Sequence, residues 1–181
     1  MPIEEANGLK CHTQHLTGGD DAGTRPQVVM LHGLVIDNLS SWYYTIANPV
    51  AQVADVHLVD LRGHGDSDWA PGGDYRRHAF AADIQALRRQ LGPLAAVVGA
   101  SLGGLSALLA HDQQPGGIAD ALVLVDIAPR IEKAGSDRIL AFMADRPEGF
   151  TSVEEVAEAV AAYNPHRAAT NDLDGLRRNL R

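Results

Sequence analysis

Four short runs of apolar, largely β-branched residues punctuate the chain: VVML at 28–31, VHLV at 56–59, LAAVV at 94–98 and ALVLV at 121–125. Each has strand length, and each is continuous rather than alternating, which is the pattern of a strand buried on both faces. Between them lie longer segments with helical spacing, at 40–54, 78–91 and 102–114. Buried strands alternating with helices predict an α/β domain, a mostly parallel sheet with helices on both faces. An earlier strand is predicted within GLKCHTQHLTG at 8–18, turned by the Gly/Asp cluster at 18–23.

After Pro129 the pattern changes, and to Arg181 only helical and loop patterns follow. The expected division is a core at 1–130 and a helical cap at 131–181. Ser136 is placed to cap a helix carrying Ile139, Leu140, Phe142 and Met143. Ser152 with Glu155 three residues on reads as a capping box ahead of the stripe Val153, Val156 and Val160, and Pro165 ends that helix. NDLDGLRRNLR starts one more amphipathic helix, inside which the sequence stops.

Composition narrows the classes of partner. With 15 basic against 23 acidic side chains the net charge is -8, which argues against nucleic acid and anionic membranes. MPIEEANGLK has two glutamates and no apolar run, and no later run approaches membrane-spanning length. A cytoplasmic protein with no membrane partner is expected. A single cysteine, Cys11, excludes an internal disulfide.

The chemistry is concentrated at VVGASLGG, 97–104, where Ser101 stands between Gly99 and Gly103 at the passage from a strand into a helix. A G-x-S-x-G sequence in that setting is a nucleophile elbow: a tight turn lifts the hydroxyl clear of the backbone, and the flanking glycines make room for it. The amide of Leu102 then lies at a helix N-terminus, where it can stabilise an oxyanion. A second element, VVMLHGLV, ends a strand in His32 and Gly33, so that the amide of Leu34 can supply a second donor. A third, LVDLRGHGDSD at 58–68, runs from a strand into an Asp-x-Arg-Gly-x-Gly-x-Ser loop.

These three motifs in this order resemble the α/β-hydrolase superfamily, in the branch containing serine esterases, cofactor-free haloperoxidases and epoxide hydrolases. The resemblance spans residues 8–130, with the helical remainder similar to that branch's cap. It implies a serine hydrolase acting on an ester-like small molecule through an acyl-enzyme, without a cofactor. Serine at position 101 favours esters, thioesters, lactones, amides or C–C bonds next to a ketone, since the related epoxide hydrolases carry aspartate there. Family members end with two further strands that bring the triad acid and the histidine, and neither strand occurs in these residues. The resemblance therefore implies a chain lacking its last two core strands, inactive or impaired, because loss of a triad histidine costs on the order of 10⁶ in kcat. It also implies a bare apolar sheet edge at ALVLVD, open to pairing with a second copy.

Within the 181 residues, Asp126 and His166 preserve the order Ser, Asp, His as acid and base. The alternative roles are a strand-end carboxylate and an exposed loop histidine. His111 lies about three helical turns past the elbow, out of reach of it. His32 is a candidate for fixing the turn of the oxyanion loop, and Trp42, Tyr43 and Tyr44 for bordering a substrate pocket; Phe142, Met143 and Tyr163 could line it from the cap. Two further functional classes remain open: a non-catalytic binder of small ligands, and a cofactor-free haloperoxidase or perhydrolase with the same serine machinery. Read as a dinucleotide fingerprint, GASLGG fails at its middle position, where Ser101 would obstruct the pyrophosphate. No metal is expected, since His12 and His15 would point to opposite faces of a strand and no Cys/His set has ligand spacing.

Overall fold

A computed structural model describes residues 5–18, 24–34, 42, 45–130, 132–163, 165, 166 and 172–177. Tyr43, Tyr44 and most of the Gly/Asp cluster lie outside the described residues. The chain divides into two compact units, Met1–Pro129 and Arg130–Arg181.

Among its described residues the first unit has five strands: β1 Thr13–Leu16, β2 Gln27–Leu31, β3 Asp55–Val59, β4 Ala96–Ala100 and β5 Ala121–Val125. Their order in the sheet is β1-β3-β2-β4-β5. β2, β3, β4 and β5 run parallel, and β1 pairs antiparallel with β3, placing His15 opposite His57. The helices of this unit are α1 Asn48–Val50, α2 Arg77–Leu91 and α3 Leu102–Gln113.

Continuous apolar strands require cover on both faces, and both are covered. On one face Val29, Leu31, Val59 and Val97 pack with Phe80, Ala81, Ile84 and Leu87 of α2 and Ala107 and Ala110 of α3. On the other, Val28, Met30, Val56 and Leu58 pack with Trp42, Ala47, Ala51 and Ala54. β5 stands at the sheet edge with Val123 46% exposed.

Two local expectations need correction. The helix predicted over 40–54 is irregular among the described residues: Trp42 and residues 45–47 are π-helical and lead into the short α1, with Pro49 at its start and the Ala51 amide bonded to the Ala47 carbonyl at 2.8 Å. The fourth strand runs to Ala100 rather than stopping at Val98. Gly99 makes room for the turn as the sequence suggested, since a Cβ there would meet the Gly104 Cα at 2.5 Å.

The second unit contains α4 Lys133–Ala144, α5 Val153–Tyr163 and α6 Leu173–Arg177. Ser136 does not cap α4, which begins a turn earlier with Glu132 at the N-cap. Its hydroxyl instead donates to the Lys133 carbonyl at 3.0 Å, the local bond a serine inside a helix commonly makes. Ser152 does cap α5, accepting the Glu155 amide at 3.1 Å. The reciprocal half of the box is displaced by one residue, because the Glu155 carboxylate takes the Thr151 amide and hydroxyl, each at 2.8 Å, and also binds Arg146. Phe142 and Tyr163 hold their rings 4.5 Å apart, with Arg138 over Tyr163. No helix among the described residues is long and apolar enough to cross a membrane.

Candidate active site

The parallel strands β2, β3, β4 and β5 deliver the singled-out motifs to one end of the sheet, beyond their carboxyl ends, which is where open α/β sheets place their ligands. β4 ends at Ala100 and α3 begins at Leu102, leaving Ser101 alone in the turn. Its backbone has φ 43° and ψ -110°, a conformation that costs a residue with a Cβ about 1–3 kcal/mol. Two features hold the strain in place. The Ser101 amide donates to the Val125 carbonyl at 3.1 Å, and its own carbonyl accepts the Leu105 amide at 2.9 Å as α3 starts. Gly103 and Gly104 bring α3 close to the sheet: a Cβ on Gly103 would lie 2.6 Å from the carbonyl oxygens of both Leu31 and His32. Ser101 itself is half-buried.

The segment after β2 is tied to this turn. Gly103 donates its amide to the His32 carbonyl at 3.1 Å, so Gly33 and Leu34 leave the sheet directly beside the start of α3. The Leu102 amide, at the first position of α3, has no partner within the helix, as for any helix start. Leu34 is 40% exposed and Gly33 is buried.

His32 is fully buried and uses both ring nitrogens, Nδ1 to the Gly33 carbonyl at 2.6 Å and Nε2 to the Leu61 amide at 2.9 Å. Neither bond was visible in the sequence, where the only signal was an imidazole next to the glycine that leaves the strand. The 60–68 loop is correspondingly structural. Asp60 accepts from His12 Nδ1 at 2.8 Å, the Ser67 hydroxyl donates to the Asp60 carbonyl at 2.6 Å, and Asp68 and Lys10 exchange backbone and carboxylate bonds at 2.9 Å. His64 donates from Nδ1 to the Arg62 carbonyl at 2.9 Å. Arg62 forms a buried two-pronged pair with Asp83, both contacts 2.6 Å, and this partner raises the guanidinium's pKa.

The other sequence candidates scatter. Asp126 follows β5 immediately, one residue beyond the Val125 carbonyl that receives the Ser101 amide, and it too has left-handed backbone, φ 56°. His166 is exposed and belongs to the second unit, beyond α5. His111 braces the exit of α3, accepting the Ile118 amide at 3.3 Å. Trp42 does not border a pocket: it is 3% exposed in the core cluster under the sheet, where a large flat side chain fills the space beneath short residues such as Ala47 and Ala51. Two concavities among the described residues lie away from Ser101. One of about 10 Å³ lies between Cys11, Leu31, Arg62 and Asp83; the other is a shallow depression around Leu9, Pro71 and His78. Cys11 is no nucleophile, since burial pushes its thiol up to about 11. No group of three or more His, Cys, Asp or Glu among the described residues could hold a metal ion.

Comparison with known proteins agrees with this fold. The sequence pattern of the family described as alpha/beta hydrolase fold matches residues 26–179. The chain is 32% identical over 164 residues to the esterase Rv0045c of Mycobacterium tuberculosis, covering 87% of this chain and 52% of that protein. It is 38% identical over 128 residues to the mouse (Mus musculus) sn-1-specific diacylglycerol lipase ABHD11, covering 69% of this chain and 40% of that one. The chain thus spans about half the length of these curated relatives or less. The crystal structure of an alpha/beta hydrolase from Novosphingobium aromaticivorans superposes with a TM-score of 0.69 at 28% identity, over 94% of this chain and 59% of that one.

Proposed function

Because this chain belongs to the alpha/beta hydrolase fold family, we propose that it carries the nucleophile and oxyanion machinery of a carboxylic ester hydrolase, with Ser101 as the nucleophile. The observation that carries this reading is the strained turn of Ser101 between β4 and α3, because strain of this kind persists where a side chain has to be presented rather than packed. The names of the esterase and lipase relatives support the ester class.

In the proposed reaction the Ser101 oxygen attacks the acyl carbon and passes its proton to a base. The carbonyl oxygen becomes an oxyanion held by the amides of Leu102 and Leu34, each such donor contributing about 3 kcal/mol of transition-state stabilisation. Collapse of the intermediate expels the alcohol with the proton from the base and leaves an acyl-serine, which water then hydrolyses. Both ring nitrogens of His32 are engaged, so this histidine is not the base. Asp126 and His166 are the acid and base that the chain order offers, and the substrate is a small acyl ester.

The test is p-nitrophenyl ester turnover by this chain beside Ser101→Ala and His166→Ala. Turnover lost in Ser101→Ala supports the nucleophile, and loss in His166→Ala as well assigns the base. A parent that turns over no ester refutes Asp126 and His166 as a working acid and base, and is the impaired behaviour that the resemblance implies for these 181 residues.

A further inference from the structure

We propose that the stacked pair His15 and His57, with Asp55 beside it, is an acid-sensitive latch that holds β1 on the sheet and, through β1, holds the 60–68 loop. The inference goes beyond the ester hydrolase reading and stands without it, because backbone exchange rather than turnover reads it out.

The β1–β3 register sets His15 directly opposite His57, and the two rings lie nearly parallel, 6° between planes, with centroids 4.6 Å apart. Neutral rings pack well in that position, whereas like charges directly opposite one another destabilise a strand pair. Hydrogen bonding fixes where an added proton on His57 must go. The Gln27 side-chain amide donates one hydrogen to the Asp55 carboxylate at 2.9 Å and the other to the Arg25 carbonyl at 3.0 Å. Its oxygen is therefore the acceptor toward His57 Nε2 at 2.7 Å, so neutral His57 carries its proton there. Protonation then falls on Nδ1 and makes a cation of a ring that is 7% exposed and stacked on its neighbour. Asp55, fully buried, has a carboxylate oxygen 3.7 Å from His15 Nε2 and can balance one positive charge on the pair; two exceed it. Burial first, then His15, with a smaller contribution from the chain's amino group, lower the His57 pKa to about 4 against the pull of Asp55, so the doubly charged pair forms only in acid. From β2 the facing group is the neutral Gln27, and Arg25 before it is turned to the Ala51 carbonyl at 3.1 Å.

β1 is the strand such a charge moves most easily. It is four residues long and stands at the sheet edge beside β3. The residues just before it carry the ties to the 60–68 loop: the His12 amide donates to the Ser67 hydroxyl at 2.9 Å, the His12 carbonyl accepts the Asp60 amide at 3.0 Å, and Lys10 bonds Asp68 through both main chain and carboxylate at 2.9 Å. Release of β1 loosens these bonds, and with them the loop whose Leu61 amide reaches His32. His12 does not drive the release, because its Nδ1 already faces the Asp60 carboxylate at 2.8 Å and protonation preserves that contact.

Hydrogen exchange of the whole chain at pH 7 and at about pH 4, corrected for the intrinsic pH dependence of exchange, tests the latch. Amides of 13–16 and 60–68 should lose protection on the order of ten-fold more than those of β4, which is paired on both sides. His15→Gln, at a partly exposed side chain, leaves one titrating ring in the pair and should remove most of that acid loss; His57→Gln should do the same. Equal losses in β1 and β4, or none in β1, overturn the proposal, and so does a folded His15→Gln chain that opens at β1 as the parent does.

Discussion

The amide of Ser101 donates to the carbonyl of Val125 at 3.1 Å, and the two residues that follow their strands here, Ser101 and Asp126, both have positive φ, 43° and 56°. Aspartate tolerates that region through its short polar side chain, whereas serine in the Ser101 conformation is strained. Ser101→Gly should therefore raise the unfolding free energy by about 1 kcal/mol while abolishing any serine chemistry. Denaturant unfolding measures it, and an unchanged or lowered midpoint would contradict stored strain.

The tightness of the elbow makes the opposite prediction two residues on. An added methyl at Gly103 meets main-chain oxygens of Leu31 and His32 at 2.6 Å, and main chain inside a sheet cannot step aside. Gly103→Ala should cost about 2–3 kcal/mol, whereas alanine at Gly135, where a Cβ meets nothing within 4 Å, should be neutral or slightly stabilising. Thermal melts of the two variants provide the comparison.

Arg62 and Asp83 form a pair whose side chains are both more than nine-tenths buried. Removing one charge strands the other, so Asp83→Asn should destabilise by about 3 kcal/mol. Arg62→Leu with Asp83→Leu together should cost less than the two single changes added. Additive costs in the double-mutant cycle would mean that the pair is not coupled.

Below pH 7 the decisive group is His57. Burial first, then the stacked ring of His15 at 4.6 Å, lower its pKa from 6.5 to about 4, against the opposing pull of Asp55. The folded state thus takes up this proton less readily than the unfolded chain, so the contribution of neutral His57 is complete above pH 6.5 and declines as pH falls toward 4. The loss by pH 4 is on the order of 2 kcal/mol once solvent screening of the partly accessible pair is allowed for. Urea unfolding between these limits should show the decline in the parent and a flatter profile in His57→Gln, which keeps no titrating ring.

Legibility in the sequence followed the range of the interactions. The continuous runs VVML, VHLV and ALVLV became β2, β3 and β5, because burial on two faces writes itself into consecutive residues. The Ser152 cap and the Pro165 stop were local in the same way, needing only three or four neighbouring residues. Ser136 was misread for a related reason: it is a cap former by local preference, and only the earlier start of α4 assigns it otherwise. Trp42 was likewise indistinguishable from a pocket residue until the sheet above it was in place.

The sequence by itself determined that the chain folds as an α/β sheet with a serine between glycines at a strand-to-helix passage, since periodicity and turn chemistry act along the chain. Tertiary structure alone decided what surrounds that serine: the bond from Ser101 to Val125, the approach of α3 to Leu31 and His32, and the two engaged nitrogens of His32. Apart from the bond of His32 Nδ1 to the neighbouring Gly33 carbonyl, these contacts join residues 24, 71, 72 and 29 positions apart, distances over which no local preference operates and only the parallel sheet brings the partners together.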